Sequence, residues 1–228
     1  CDLVRDVTCA EPYAWDPDDT LSVPWQDAYR AETTPASLPP ASCHVVAIDC
    51  GIKWNILRYL RQAGCRVTVV PAATSADDIL AYSPDGVFVS NGPGDPAAVP
   101  YVYKEVRALI GKVPMFGICL GHQLLAHACG GDTYKLRFGH HGGNQPVMNL
   151  ATRRVEITAQ NHGFSARDES LPADDVEVTH INLNDTTVEG LRYLNAPVFS
   201  VQYHPEAGPG PHDPLYLFTR FTELMTHN

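Results

Sequence analysis

From residue 44 onward, short apolar runs alternate with stretches in which apolar residues recur every three or four positions. His44-Val-Val-Ala-Ile-Asp49 has the length and near-continuous apolarity of a buried strand. The stretch 53–63 places Ile56, Leu57 and Leu60 on one helical face, and Gly64 stops it. The pattern then repeats. A strand is predicted over 66–70, and Ser75-Ala-Asp-Asp78 supplies an N-cap for a helix through Tyr82. A strand over 86–90 follows, then a Gly/Pro loop, a helix over 101–110, a strand over 113–118 and a helix over 120–129. Strand–helix units joined by short connections predict an α/β fold with a mostly parallel, doubly wound sheet flanked by helices. In the second half, the runs 155–159, 176–181 and 198–201 alternate and are separated by Asn/Asp/Gly turns, which predicts a smaller antiparallel or edge portion. A closing helix is expected over 213–226.

The first forty residues break this rhythm. They are rich in Pro and Asp, carry single aromatics (Tyr13, Trp15, Trp25, Tyr29) and end in Pro39-Pro40. The reading therefore divides the chain into an irregular segment with a linker at 1–42 and one domain at 43–228. The opening Cys-Asp-Leu-Val-Arg-Asp has neither an initiator Met nor a secretory signal, so the chain is expected to be a fragment or a truncated form.

Composition narrows the functional classes. The formal net charge of −10 without any basic run argues against nucleic acid or an anionic membrane surface as partner. No apolar stretch reaches the roughly 20 residues that span a bilayer. The 7 cysteines are odd in number and form no C-x-x-C pair, which predicts reduced thiols in a cytoplasmic setting rather than a zinc ribbon or a disulfide framework.

Among those cysteines Cys119 stands apart. Gly117-Ile118-Cys119-Leu120-Gly121 places it between a buried strand and a helix, the cysteine counterpart of the G-x-S-x-G elbow. Flanking glycines allow a sharp turn, the helix N-terminus favours a thiolate, and the freed N–H of Leu120 can serve an oxyanion. The bland alternative is a small buried apolar residue. A base must come from elsewhere, and His204-Pro205-Glu206 is the candidate. Residues i and i+2 of an extended segment face the same way, so Glu206 could hold the His204 imidazole in the tautomer that accepts the thiol proton. Taken alone, a surface turn with a solvated Glu explains that tripeptide equally well. His140 and His141 are adjacent and point apart, and His162 and His212 lack evident partners, so no metal is expected. Asn91-Gly-Pro-Gly-Asp95 lacks the lysine and spacing of a phosphate loop, and its bare glycines can instead bring backbone N–H groups close to a substrate.

Together these segments resemble the class I, or triad, glutamine amidotransferases, from about His44 to the C-terminus and in that family's order Cys119, His204, Glu206. Within the class the resemblance is to the small, glutaminase subunits of carbamoyl-phosphate synthases. It is carried by Ser90-Asn-Gly-Pro-Gly-Asp-Pro96, Phe116-Gly-Ile-Cys-Leu-Gly-His-Gln-Leu-Leu125, Phe138-Gly-His-His-Gly-Gly-Asn144, Gln160-Asn-His-Gly-Phe164 and His204-Pro-Glu-Ala-Gly-Pro-Gly-Pro-His-Asp213. The resemblance implies a Cys119–His204–Glu206 triad and a γ-glutamyl thioester. It implies Gly92 and Leu120 as backbone oxyanion donors with Gly94 beside them, and Gln123, Asn161, Gly163 and Phe164 around the amino-acid end of glutamine. It also implies delivery of ammonia to a large synthetase subunit that makes carbamoyl phosphate for pyrimidine and arginine synthesis. ATP and Mg²⁺ would belong to that partner, with no cofactor in this chain. Residues 1–30 resemble only the last stretch of the family's additional N-terminal domain, whose absence bears on glutamine affinity and docking; Gly208 replaces a serine common in relatives. Two other readings compete: a stand-alone γ-glutamyl hydrolase on the same scaffold, and a non-catalytic glutamine-sensing or scaffold subunit.

Overall fold

The computed structural model describes residues 1–23, 38–207 and 213–226. Trp25, Tyr29, Gly208 and His212 lie outside the described residues. The chain opens with a short helix α1 (Val4–Val7) and a two-residue strand β1 (Tyr13–Ala14). The regular part then runs β2 (Cys43–Asp49), α2 (Trp54–Gln62), β3 (Cys65–Pro71), α3 (Ala76–Ala81), β4 (Gly86–Val89), α4 (Pro100–Leu109), β5 (Met115–Ile118) and α5 (Leu120–Ala128). It continues with β6 (Thr133–Asn149), β7 (Val155–Ala166), β8 (Val176–Asn182), β9 (Val188–Tyr193), β10 (Val198–Val201) and α6 (Tyr216–Thr226).

The strands form one sheet in the order β1-β3-β2-β4-β5-β10-β9-β8-β6-β7. The pairs β3–β2, β2–β4, β4–β5 and β5–β10 are parallel, and those from β10 to β7 are antiparallel. The four strand–helix units thus stand where the apolar runs predict them. Ser75 caps α3 as expected, its side chain accepting from Asp78 N–H at 3.1 Å. Val198–Val201 pairs antiparallel with β9, one of the two arrangements expected, and also parallel with β5, so it joins the parallel half to the antiparallel half. The 133–149 stretch, for which no strand was predicted, forms the longest strand of the sheet. Within 1–42, β1 pairs antiparallel with β3, and Cys9 N–H donates to the Asp49 carboxylate at 2.8 Å.

Successive residues of a strand point to opposite faces, so each parallel strand feeds two cores. Val46, Ile48, Val87, Val89 and Met115 pack with Ile79 of α3, Val102 and Val106 of α4, and Leu124 and Leu125 of α5. Val45, Ala47, Phe88 and Phe116 pack on the other face with Ile56, Leu57 and Leu60 of α2, and with Leu217, Phe218 and Phe221 of α6. Phe116 stacks on Phe199 with ring centroids 4.4 Å apart, closing the seam between β5 and β10. Among the described residues no helix is long and apolar enough to cross a membrane.

Candidate active site

The strands β2, β4, β5 and β10 run in register, with Ile48 beside Val89, Val89 beside Gly117, and Ile118 beside Val201, so their carboxyl ends finish level. Chain order reverses between β2 and β4, and ligands of open α/β sheets bind at such a switch point. The loops leaving these ends are tied together. Asn91 Oδ1 accepts from Lys53 N–H at 3.1 Å, and Asn91 Nδ2 donates to Gly51 O at 3.1 Å.

Cys119 sits between β5 and α5 with φ 54° and ψ −103°. A non-glycine residue reaches positive φ only under constraint. Here the constraint is visible: Cys119 N–H donates to Val201 O at 2.9 Å, and its carbonyl accepts from Gln123 N–H at 3.2 Å. The helix comes this close because position 121 is glycine; a Cβ there would lie 2.1 Å from Val89 O. Gly92 is equally confined, since a Cβ would lie 2.1 Å from Cys50 O. Both backbones therefore approach where no side chain fits.

The imidazole of His204 lies beside the thiol. Its Nδ1 is 2.7 Å from Glu206 Oε1, and both side chains are buried. The pairing is not made by an extended segment, as the i, i+2 argument expected. Residues 205 and 206 form a turn in which Ala207 N–H donates to His204 O at 3.3 Å, and that turn brings the carboxylate to the ring. His204 itself is anchored by its N–H to Ala159 O at 2.9 Å. Burial opposes the imidazolium, but Cys119 and Glu206 on either side outweigh it and raise the His204 pKa to about 10. Burial would raise Glu206, yet His204 and then Lys53 hold its carboxyl below the usual range.

Lys53 is the residue that sequence reasoning missed. Its Nζ lies 3.2 Å from Glu206 Oε1 and 3.2 Å from His204 Nδ1, while its stem is half exposed. Two donors, Lys53 and the imidazole, converge on one carboxylate oxygen. The available signal was a basic residue in the loop leaving β2 at the switch point.

In front of the thiol is a cavity of about 140 Å³ lined by Gly92, Pro93, Gly94, Cys119, Gln123 and His141, with Asn161, His162, Gly163 and Phe164 opposite. Six of the seven expected substrate residues line it. The seventh, Leu120, turns its side chain into the core, leaving its backbone as the part that could face a ligand. Gln123 Nε2 donates to Phe164 O at 2.8 Å and to Gln202 Oε1 at 2.9 Å, so both its donors are used and an acceptor oxygen remains. Asn161 Oδ1 meets His141 Nδ1 at 3.0 Å, which leaves its amide N–H groups for an acceptor.

Beneath the cavity is a grouping the sequence did not indicate. Ligand-type atoms of His140, His162 and Glu189 lie within 4.8 Å of one another, the one such group among the described residues. His140 and His141 face apart as expected: His140 Nε2 reaches Asp185 Oδ2 at 2.8 Å, and His141 faces the cavity. Glu189, whose Oε1 lies 3.5 Å from His140 Nδ1, together with the hydrogen-bonded Asp185 raises the His140 pKa to about 9 against the effect of burial. Burial lowers His162 to about 4, so the ring is neutral with one N–H; its Nδ1 lies 2.7 Å from Phe164 O, to which it donates, and its Nε2 faces the Gln160 side-chain amide at 2.9 Å. These contacts tie the 160–164 segment to the sheet.

The family model Glutamine amidotransferase class-I matches residues 46–224. The chain belongs to the class I glutamine amidotransferase family. It is 56% identical over 229 residues to a carbamoyl phosphate synthase small chain from Syntrophotalea carbinolica, covering 100% of this chain and 58% of that protein. It is 60% identical over 195 residues to the Akkermansia muciniphila small chain, covering 86% of this chain and 52% of that one. A chloroplastic small chain of Oryza sativa is 53% identical, with coverage of 100% and 49%. The chain therefore spans about half the length of these relatives. A solved structure described as a GMP synthase component from Thermoplasma acidophilum shares the fold, with a TM-score of 0.70 at 21% identity over 81% of this chain and 94% of the other.

Proposed function

We propose that this chain is the glutamine-hydrolysing part of a carbamoyl-phosphate synthase small subunit, passing ammonia to an ATP-using large subunit. One observation carries the reading: a strained cysteine at a strand–helix elbow, joined to a buried His204–Glu206 pair, faces a cavity sized for one amino acid. The small-chain relatives support the choice of synthase.

In this reading the Cys119 thiolate attacks the side-chain carbonyl carbon of glutamine, and the oxyanion turns to the N–H groups of Gly92 and Leu120. His204, held cationic by the thiolate and Glu206, gives its proton to the departing ammonia. Acylation removes the thiolate charge that raised His204, so its pKa falls and the neutral ring becomes the base that activates water against the γ-glutamyl thioester. The acceptor oxygen of Gln123 suits the substrate ammonium, and the Asn161 amide suits its carboxylate. The cavity is smaller than the roughly 300–1,000 Å³ of pockets for drug-sized ligands, which favours free glutamine over a γ-glutamyl peptide. ATP, Mg²⁺ and the carbamoyl-phosphate chemistry lie with the partner. Seven free thiols suit a reducing, cytoplasmic compartment.

The test is glutamate release from glutamine by the chain alone and with a carbamoyl-phosphate synthase large subunit, ATP and bicarbonate. Stimulation by the partner is expected, with Cys119→Ser binding glutamine but losing nearly all turnover. Comparable turnover in that variant would sink the nucleophile assignment. Activity indifferent to the partner would indicate a stand-alone hydrolase.

A further inference from the structure

Two of the cysteines that play no part in the proposed reaction meet at the opposite end of the sheet. Cys43 and Cys65 open the adjacent parallel strands β2 and β3 and are register partners. Their sulfurs are 3.4 Å apart and both are free thiols. Neighbouring strands run about 4.8 Å apart, and a disulfide tolerates Cα separations of about 4.4–6.8 Å. Closure therefore asks for side-chain rotation that brings the sulfurs to about 2.05 Å, without separating or shifting the strands.

The two thiols are not equivalent. Cys43 retains 6% of its surface accessible while Cys65 has none. The hydrogen bond between them lowers the Cys43 pKa, and that bond together with burial pushes Cys65 well up. Cys43 is thus the sulfur that an incoming reagent meets first and the better thiolate, with Cys65 in reserve behind it.

We propose that Cys43 and Cys65 are a thiol-oxidation site, a dithiol that closes to an intramolecular disulfide in exchange with a small disulfide such as oxidised glutathione. The Cys43 thiolate attacks one sulfur of oxidised glutathione, forming a mixed disulfide and releasing one glutathione thiolate. Cys65 then gives its proton to water and attacks the Cys43 sulfur, and the second glutathione leaves as a thiolate. The protein loses two hydrogens, and one glutathione disulfide becomes two thiols.

The site is tested in the full chain carrying Cys119→Ala, so that the elbow thiol does not compete. The protein is equilibrated with mixtures of reduced and oxidised glutathione, quenched with iodoacetamide and mapped by non-reducing peptide mass spectrometry. The expected result is a Cys43–Cys65 cross-link that grows with the oxidised fraction and disappears with dithiothreitol. In Cys65→Ser the reaction should stop at a glutathione adduct on Cys43. In Cys43→Ser, Cys65 should be recovered unmodified. Recovery of both Cys43 and Cys65 as alkylated thiols, under conditions that glutathionylate the exposed Cys1, overturns the proposal. So does an arrested adduct on Cys65 rather than Cys43.

Discussion

Glu206→Gln separates the charge of the buried carboxylate from its shape. In the parent, Glu206 Oε1 takes His204 Nδ1–H at 2.7 Å and the Lys53 ammonium at 3.2 Å. Glutamine keeps one acceptor oxygen but loses the charge, so a charge-assisted hydrogen bond worth about 1.5–3 kcal/mol falls to an ordinary one of about 0.5–1.5 kcal/mol. The Lys53 cation then remains beside Nδ1 with no anion between, which further disfavours imidazolium. The difference of about 1–1.5 kcal/mol, acting wholly on the transition state, corresponds to a loss of about 5- to 13-fold, to which the uncompensated Lys53 charge adds. The expected change is therefore a kcat lower by about tenfold or more. Glu206 does not line the cavity, so KM for glutamine should stay within about threefold of the parent. His204→Ala should cost more, because it removes the proton carrier itself. Steady-state glutamate release gives the kinetic split, and NMR titration of the His204 ring should show its pKa falling from about 10. A Glu206→Gln enzyme with parental kcat, or with its loss confined to KM, would refute the orientation argument.

Three further outcomes follow from the same geometry. Gly92→Ala drives a Cβ to 2.1 Å from Cys50 O, so the loop must move and the proposed oxyanion donor with it. We expect kcat to fall about 10²- to 10³-fold, checked by turnover and by trapping of the thioester. Lys53→Met leaves Glu206 with His204 as its remaining ion-pair partner among the described residues, and kcat should drop by about tenfold, with the rate–pH profile displaced; an unchanged profile would count against Lys53 as a positioning group. His140 has a folded pKa raised from 6.5 to about 9, so its contribution to stability is complete below pH 6.5 and is lost as pH rises through about 9. Melting temperature measured across that window should fall less in His140→Asn than in the parent, since the variant lacks that titration.

Much of the fold was legible because parallel strands buried on both faces are nearly continuous apolar runs, and α2 to α5 carry clear apolar faces and stops. The strand β6 was not. Gly139, Gly142, Gly143 and Pro146 interrupt the apolar pattern that marks a strand, yet the whole segment is extended because β7 and β8 supply its hydrogen-bond ladder, with register shifts between Lys135 and His140 and between Gly142 and Gln145. The strand β9 was hidden for a related reason. It carries buried Glu189 and Gly190, and the glycine is needed because a Cβ would lie 2.6 Å from His180 Nδ1. Tertiary contacts override local preference at both places. In the candidate site, Cys119, His204 and Glu206 sit within short motifs whose neighbours shape the backbone, so the sequence could nominate them, and the structure brings them together. Lys53 could not be assigned from its neighbours, because its role arises from a contact 151 positions away.

The proposed catalytic arrangement depends on the seam between the two halves of the sheet. The parallel half ends in Cys119 at β5, and β10, which leads to His204, is the strand that also pairs with the antiparallel half. The elbow's positive φ, strained for a cysteine, is held by Val201 O from β10 and by the approach of α5 to Val89 O, which position 121 permits only as glycine. His204 is in turn fixed by Ala159 O from β7, on the far side of the seam. No element alone holds thiol and imidazole in reach of each other. The strain at Cys119, of order 1–3 kcal/mol, is offset by contacts that exist only when β5, β10 and β7 are packed together. Packing along this seam, with Phe116 against Phe199 beneath it, is therefore coupled to chemistry more tightly than packing at the outer strands.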